Sequence, residues 1–215
     1  MDIQSLGHSS YRIRGKSATI VTDPFDGSMT GFPFPKHVSA TVVTVSHAHE
    51  DHNATAQIED HPFIISGAGE YEIGGVSVIG IPSYHDTAKG SKRGKNIIYR
   101  IEVDGVAIVH MGDVGTMLTT EEIDILDGVD ILLVPVGGDV TIPLSDVRNL
   151  ISEIEPSVVI PMHYRSAKHN PKIFGNLAPL SEFLKLMGKD GILPVPKLTI
   201  SKDKLPEEMQ VIVLE

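Results

Sequence analysis

Thr41-Val42-Val43-Thr44-Val45-Ser46-His47-Ala48-His49-Glu50-Asp51-His52 is the stretch on which the reading of this chain turns. Its first five residues are all β-branched, a run of the composition and length of a strand. Residues two apart in extended chain point to the same side. His47 and His49 therefore present two imidazoles together as the strand ends. Asp51 and His52 follow where the chain turns, with a short helix expected just after His52. Four potential ligands thus fall within six residues. A solvated polar loop explains one histidine; it does not explain His-x-His-x-Asp-His after a β-run. Imidazole with carboxylate suits zinc, and also manganese or ferrous iron.

The same pattern, an apolar run and then a ligand, recurs outward from this stretch. His85 follows Val78-Ile79-Gly80-Ile81-Pro82, Asp113 follows Ile108-Val109-His110-Met111-Gly112, and His163 follows Val158-Val159-Ile160-Pro161-Met162. Four ligands can close one structural site, whereas catalysis needs an open position, so a second ion would draw on these three. His110, inside its run, reads as a satisfied core residue, and His61 before Pro62 as a turn.

Further strand-length runs are Ala18 to Thr22, Phe63 to Ile65, Val76 to Ile81, Asn96 to Val103, Val106 to Val109, Ile131 to Val136 and Val211 to Leu214. Asp104-Gly105 between two of them is a hairpin signal. Helices are expected after Thr119/Thr120 with Glu122, over Ser145 to Ile154, and over Leu180 to Met187. Near-continuous apolar strands such as Ile131-Leu132-Leu133-Val134 imply a sheet covered on both faces. The class is α/β: two sheets face to face with helices outside, in one domain spanning 1–215.

The chain has 215 residues, no cysteine and a formal charge of −10. Thiolate metal sites, disulfides and cysteine nucleophiles are excluded. The charge argues against broad nucleic-acid binding. No apolar run approaches the roughly 18–20 residues of a bilayer span, and Met1-Asp2-Ile3-Gln4 lacks the features of a secretory signal. A cytoplasmic protein without a membrane partner is expected.

In the order and strand-end placement of these residues the chain resembles the metallo-β-lactamase superfamily, over nearly its whole length. Asp23 in Thr22-Asp23-Pro24 matches the first motif; His47, His49, Asp51 and His52 the second; His85, Asp113 and His163 the third to fifth. The resemblance implies a four-layer αββα sandwich with two mixed sheets and a site for two divalent ions. His47, His49 and His85 would bind one ion, Asp51, His52 and His163 the other, and Asp113 both; Asp23 would orient ligands. Leu6-Gly7-His8-Ser9-Ser10 and Thr22-Asp23-Pro24-Phe25 are similar to the small, compact branch that includes ascorbate-6-phosphate lactonase. Antibiotic-hydrolysing members generally lack the bridging aspartate, flavin-linked di-iron members carry Glu where His49 stands, and the nucleases carry long insertions that this chain has no room for.

The activity so implied is hydrolysis by metal-bound hydroxide, from two ions ~3.5–4 Å apart. Its substrate would be a small ester, lactone or phosphoester, with Asp51 and Asp113 as the catalytic candidates. A phosphodiesterase or nuclease, or a metal-binding protein without turnover, are the alternatives. Lys89, Lys92, Arg93 and Lys95 after His85, and Arg165, Lys168 and His169 after His163, make an anionic small-molecule substrate worth testing. Arg93, Lys95, Arg165 and His8 are the candidate substrate contacts. Phe25, Phe32 and Phe34 in the 24–37 loop are equally readable as an apolar wall to the site or as core plugs.

Overall fold

Alternate residues of two short strands are sent to two different cores. Ile20 and Val42 enter a cluster of 41 buried residues, while their neighbours Val21 and Val43 enter one of nine. A strand does this because successive side chains point to opposite faces. The computed structural model describes residues 1–215.

The first sheet contains β1 (Asp2–Gly7), β2 (Ser10–Arg14), β3 (Thr19–Thr22), β5 (Val42–Thr44), β7 (Phe63–Ile65) and β14 (Leu198–Thr199), in the order β14-β1-β2-β3-β5-β7. The second contains β8 (Gly69–Ile73), β9 (Val76–Tyr84), β10 (Lys95–Val103), β11 (Val106–His110), β12 (Ile131–Pro135), β13 (Val158–Met162) and β15 (Gln210–Val211), in the order β15-β13-β12-β11-β10-β9-β8. Each sheet is antiparallel on one side and parallel on the other: β3, β5 and β7 run parallel in the first, and β11, β12, β13 and β15 in the second. The sheets are therefore mixed, and the fold is the αββα sandwich.

The large core lies between the sheets and under α3 (Leu144–Ile154), which contributes Val147, Leu150, Ile151 and Ile154 at helical spacing. Fully burying each such side chain stabilises the fold by ~1.5–3 kcal/mol. The small core lies outside the first sheet. Its cover is thin: α1 (Gly27–Thr30), the two-stranded ribbon of β4 (Val38–Ser39) and β6 (Ile58–Glu59), and the aromatic loop before them. Phe25 and Phe34 are buried in that core with Phe32 packed against it, so the loop aromatics are plugs and not a wall. The remaining helices are α2 (Thr120–Ile125), α4 (Pro171–Phe174) and α5 (Leu180–Leu186). No helix is long and apolar enough to cross a membrane.

Two tyrosines tie the sheets together reciprocally. Tyr99 of β10 donates its hydroxyl to the carbonyls of Val45 (3.0 Å) and Ile65 (3.1 Å) beside the first sheet. Tyr11 of β2 reaches the other way, to the carbonyl of Pro161 in β13 at 3.3 Å.

Local expectations hold where the sequence is strongly patterned. Thr119 and Glu122 form the reciprocal cap of α2, and Asp104 and Gly105 take φ of 54° and 76° between β10 and β11, as a tight hairpin requires. Three features differ. No α-helix follows His52: its N–H closes a turn on the His49 carbonyl, Asn53 ties back to the Ala48 carbonyl at 2.9 Å, and only a 3₁₀ turn, Thr55–Gln57, comes after. The C-terminal strand shrinks to Gln210–Val211, Leu214 bridging separately to Val195. The β1–β2 hairpin was not expected, since its polar and apolar residues make no apolar run.

Candidate metal centre

Every candidate ligand sits just beyond the end of a strand, and all the strands concerned deliver it to one edge of the sandwich. Asp23 follows β3, Ser46 to His52 follow β5, His85 follows β9, Asp113 follows β11 and His163 follows β13. The β1–β2 turn adds His8. Asp23 (φ 38°), His163 (φ 50°) and His8 (φ 52°) are held in the left-handed region, which costs a non-glycine residue energy and recurs at functional sites.

Besides the set of Asp23 with His47 and His52, two groups of ligand atoms result, each lying within 4.8 Å: His47 with His49 and His85, and Asp51 with His52, His163 and His8. Asp113 stands between them. Its Oδ2 is 3.1 Å from His163 Nε2, 3.3 Å from His85 Nε2, 3.4 Å from His52 Nε2 and 4.0 Å from His47 Nε2. The Nε2 atoms of His47, His52 and His163 and the Oδ1 atom of Asp113 are buried without a hydrogen-bond partner. Buried polar atoms are rarely left so, and several facing one small space suit a bound cation. The donors are imidazole nitrogen and carboxylate oxygen, which fits zinc and its neighbours. His49 alone of the group is exposed, at the mouth.

Asp23 sets the orientation of two of these rings. It is fully buried. Its Oδ1 accepts from the Ser46 N–H at 2.7 Å, and its Oδ2 accepts from the Ser46 hydroxyl at 2.5 Å and from His52 Nδ1 at 2.8 Å. With its hydroxyl proton given to Asp23, Ser46 Oγ accepts from His47 Nδ1 at 2.9 Å. Both imidazoles thus carry a proton on Nδ1 and turn Nε2 inward, the arrangement a metal ligand needs. Asn96 of β10 fixes the Asp113 loop, accepting from the Asp113 N–H at 3.0 Å and donating to the Met111 carbonyl at 2.9 Å. The approach is so close that a Cβ on Gly112 (φ 55°) would lie 2.6 Å from Ser46 Cβ and nearer still to Asn96 Oδ1.

Neither Ser46 nor Asn96 was distinguishable as a supporting residue in the sequence. The available signal was weak: a serine directly before a ligand, and a lone asparagine opening an apolar strand. His110 is, as expected, a satisfied core residue: its Nε2 donates to the Ser9 carbonyl at 2.8 Å and its Nδ1 accepts from the Gly112 N–H at 3.2 Å.

The charges are strongly coupled. Burial, reinforced by His52, takes His47 down to about 3 against opposing pulls from Asp113 and Asp23. Burial would push Asp113 up, but His163 and His52 outweigh it and hold the carboxyl well below its ordinary range. Asp51 is likewise lowered, His52 and His8 overcoming burial. Burial opposes a proton on His52, yet Asp113, Asp51 and Asp23 hold it well above the ordinary imidazole range. The buried carboxylates are thus ionised, and His52 keeps a second proton, which an arriving cation would displace.

Beside the site, Arg93 and Lys95 line a cavity of about 430 Å³ together with His47, His49 and Asn96. Their loop is built around Asp86, whose carboxylate accepts the N–H groups of Ala88, Gly90, Lys92 and Arg93. A neighbouring cavity of about 360 Å³ shares His47 and Ala48 and adds Val45, Ile64 and Asn53. Arg165 lines neither: its guanidinium donates to the Gly175 carbonyl at 3.0 Å. The His8 ring is enclosed, 3.2 Å from Asp51 and 3.1 Å from His169.

Over residues 2–163 the sequence matches the Beta-lactamase superfamily domain. The chain belongs to the metallo-β-lactamase superfamily. A UPF0173 metal-dependent hydrolase of Thermococcus onnurineus is 30% identical to this superfamily member, the match covering 86% of this chain and 92% of the relative. A crystal structure from Thermotoga maritima, of a protein assigned to the metallo-β-lactamase superfamily as a Zn-dependent hydrolase, is similar with a TM-score of 0.82 and 34% identity. That match covers 100% of this chain and 98% of the other. An isothiocyanate hydrolase from Delia radicum gut bacteria shares the fold at a TM-score of 0.66 and 17% identity, over 94% of this chain and 100% of the other.

Proposed function

We propose that this superfamily member, a metal-dependent hydrolase, holds two divalent ions, zinc first among them, and cleaves a small anionic ester, lactone or phosphoester. The observation that carries the proposal is the position of Asp113 Oδ2, within 4.0 Å of Nε2 atoms from both ligand groups. His47, His49 and His85 would hold one ion, Asp51, His52 and His163 the other, and Asp113 both. Bound there, the ions would supply a nucleophile from water at neutral pH and polarise the substrate oxygen. Asp51 and Asp113, both ionised, are the groups placed to take the proton released. Asp23 and Ser46 keep the rings of His52 and His47 turned inward. Arg93 and Lys95, on the same cavity as His47 and His49, would bind the anionic end of the substrate and so place its reacting bond.

Metal content and a substrate panel test this together. Reconstituted wild-type protein should carry two zinc ions per chain, and His85→Ala and His163→Ala one each; one ion in the wild type overturns the two-ion reading. Across phosphorylated and neutral lactones, esters and phosphodiesters, Arg93→Ala and Lys95→Ala should each raise KM for anionic substrates about tenfold, the loss of one charge-assisted hydrogen bond. kcat should stay within about twofold. Equal effects on neutral substrates would sink the assignment of Arg93 and Lys95, and turnover confined to phosphodiesters would move the enzyme to the phosphodiesterase class.

A further inference from the structure

His8 and His169, 161 positions apart, lie end to end behind Asp51. The direction of their hydrogen bonds follows from one fixed donor. The Ser166 backbone N–H lies 3.1 Å from His169 Nδ1, and a backbone N–H can only donate. His169 Nδ1 is therefore an acceptor without a proton. A neutral imidazole must then carry its proton on Nε2, which lies 3.1 Å from His8 Nδ1. That makes His8 Nδ1 an acceptor in turn, so the proton of His8 sits on Nε2, 3.2 Å from Asp51 Oδ2. The chain of donation runs one way: Ser166 N–H to His169, His169 to His8, His8 to the Asp51 carboxylate.

We propose that His8 and His169 form a positioning relay that orients Asp51 for the second ion, with His8 itself excluded from metal binding. The exclusion follows because His8 Nε2, the nitrogen facing Asp51, is spent as a donor, although His8 falls within the same 4.8 Å group as Asp51, His52 and His163. Carboxylates that bind metal are commonly held in this manner by an outer hydrogen bond. The far end of the relay is anchored: Lys168 N–H donates to Ser166 Oγ at 3.3 Å, and Asn170 N–H to the Thr30 carbonyl at 2.8 Å, pinning the loop onto α1. That loop also begins with His163, so the relay locks two ligands of one ion to each other. The inference rests on the two-ion reading above.

The test reads tautomers and metal affinity, not turnover. Long-range ¹⁵N–¹H correlation spectra of the zinc-loaded protein should show His8 and His169 both protonated on Nε2 alone. His169→Ala should weaken the second zinc ion roughly 10–100-fold in a chelator competition, the usual effect of losing an outer-shell partner. The first ion should be unaffected. His169→Gln, whose amide can still donate to His8 Nδ1, should restore the affinity to within about threefold; a merely structural role for His169 would not discriminate Gln from Ala in this way. His8 protonated on Nδ1, or His169→Ala binding both ions as the wild type does, would overturn the relay. If the wild type took up a single ion, the two-ion reading would fall, and the tautomers read on the metal-free protein would still decide the relay.

Discussion

Replacing one oxygen of Asp23 by an amino group should weaken both of the ions proposed above. In Asp23→Asn the Oδ1 contact to the Ser46 N–H survives, but an NH₂ group stands where Oδ2 accepted from Ser46 Oγ and His52 Nδ1. The Ser46 hydroxyl must then accept from the new amide and turn its own proton toward His47 Nδ1. His47 would shift its proton to Nε2 and lose the lone pair that faces Asp113. His52, facing a donor instead of an acceptor, would do the same. Losing such an orienting partner costs roughly 10–100-fold in metal affinity, or ~1.4–2.7 kcal/mol per ion. At fixed excess zinc that decrement appears directly in stability. For a chain of 215 residues, ~2–4 °C per kcal/mol makes the expected fall in Tm about 3–11 °C for each ion. The assay is thermal unfolding with and without zinc, beside metal content after gel filtration. A variant that keeps two ions and gains as much Tm from zinc as the wild type would refute the reasoning.

Three further outcomes are expected. Gly112→Ala should lower Tm by several degrees and weaken metal retention, because its Cβ would run into Asn96 Oδ1 and the Ser46 side chain in a left-handed conformation; an unchanged Tm would show that this loop can yield. Burial takes His8 and His47 down to about 3 from an ordinary 6.5, so between those values the unfolded chain binds protons that the folded chain does not. The share of metal-free stability contributed by these two rings should be intact above pH 6.5 and fall below it by ~1.4 kcal/mol per pH unit for each ring; a urea midpoint flat from about pH 6.5 to 4.5 in EDTA would contradict this. Thr119→Ala removes the hydroxyl that caps α2 and should cost ~1 kcal/mol, read as a lower urea midpoint with unchanged metal content.

The candidate ligands were legible in the sequence because each interrupts something regular. His47, His85, Asp113 and His163 stand where an apolar run stops, and a polar side chain at a strand end has few roles in a core. Of their supports Asp23 was legible, but Ser46, Asn96 and His169 were not, because those depend on how distant parts of the chain meet. Asn96 matters only since β10 pairs with both β9 and β11, and His169 only since its loop returns to the β1–β2 turn. The β1–β2 hairpin itself was hidden by its half-polar faces, and the helix expected after His52 gives way to a turn tied by the Asn53 side chain, which no periodicity announces.

The reciprocal tyrosines have a consequence for the life history of the enzyme. Tyr99 and Tyr11 each span from one sheet to a carbonyl of the other, and with the 41-residue core they set the gap between the sheets with no cation involved. Zinc fingers take their shape from the ion; cross-ties of this kind would let the chain take its shape before an ion arrives. Folding would then not wait on metallation. Metal-free protein should therefore stay folded in EDTA and take up metal when it is supplied.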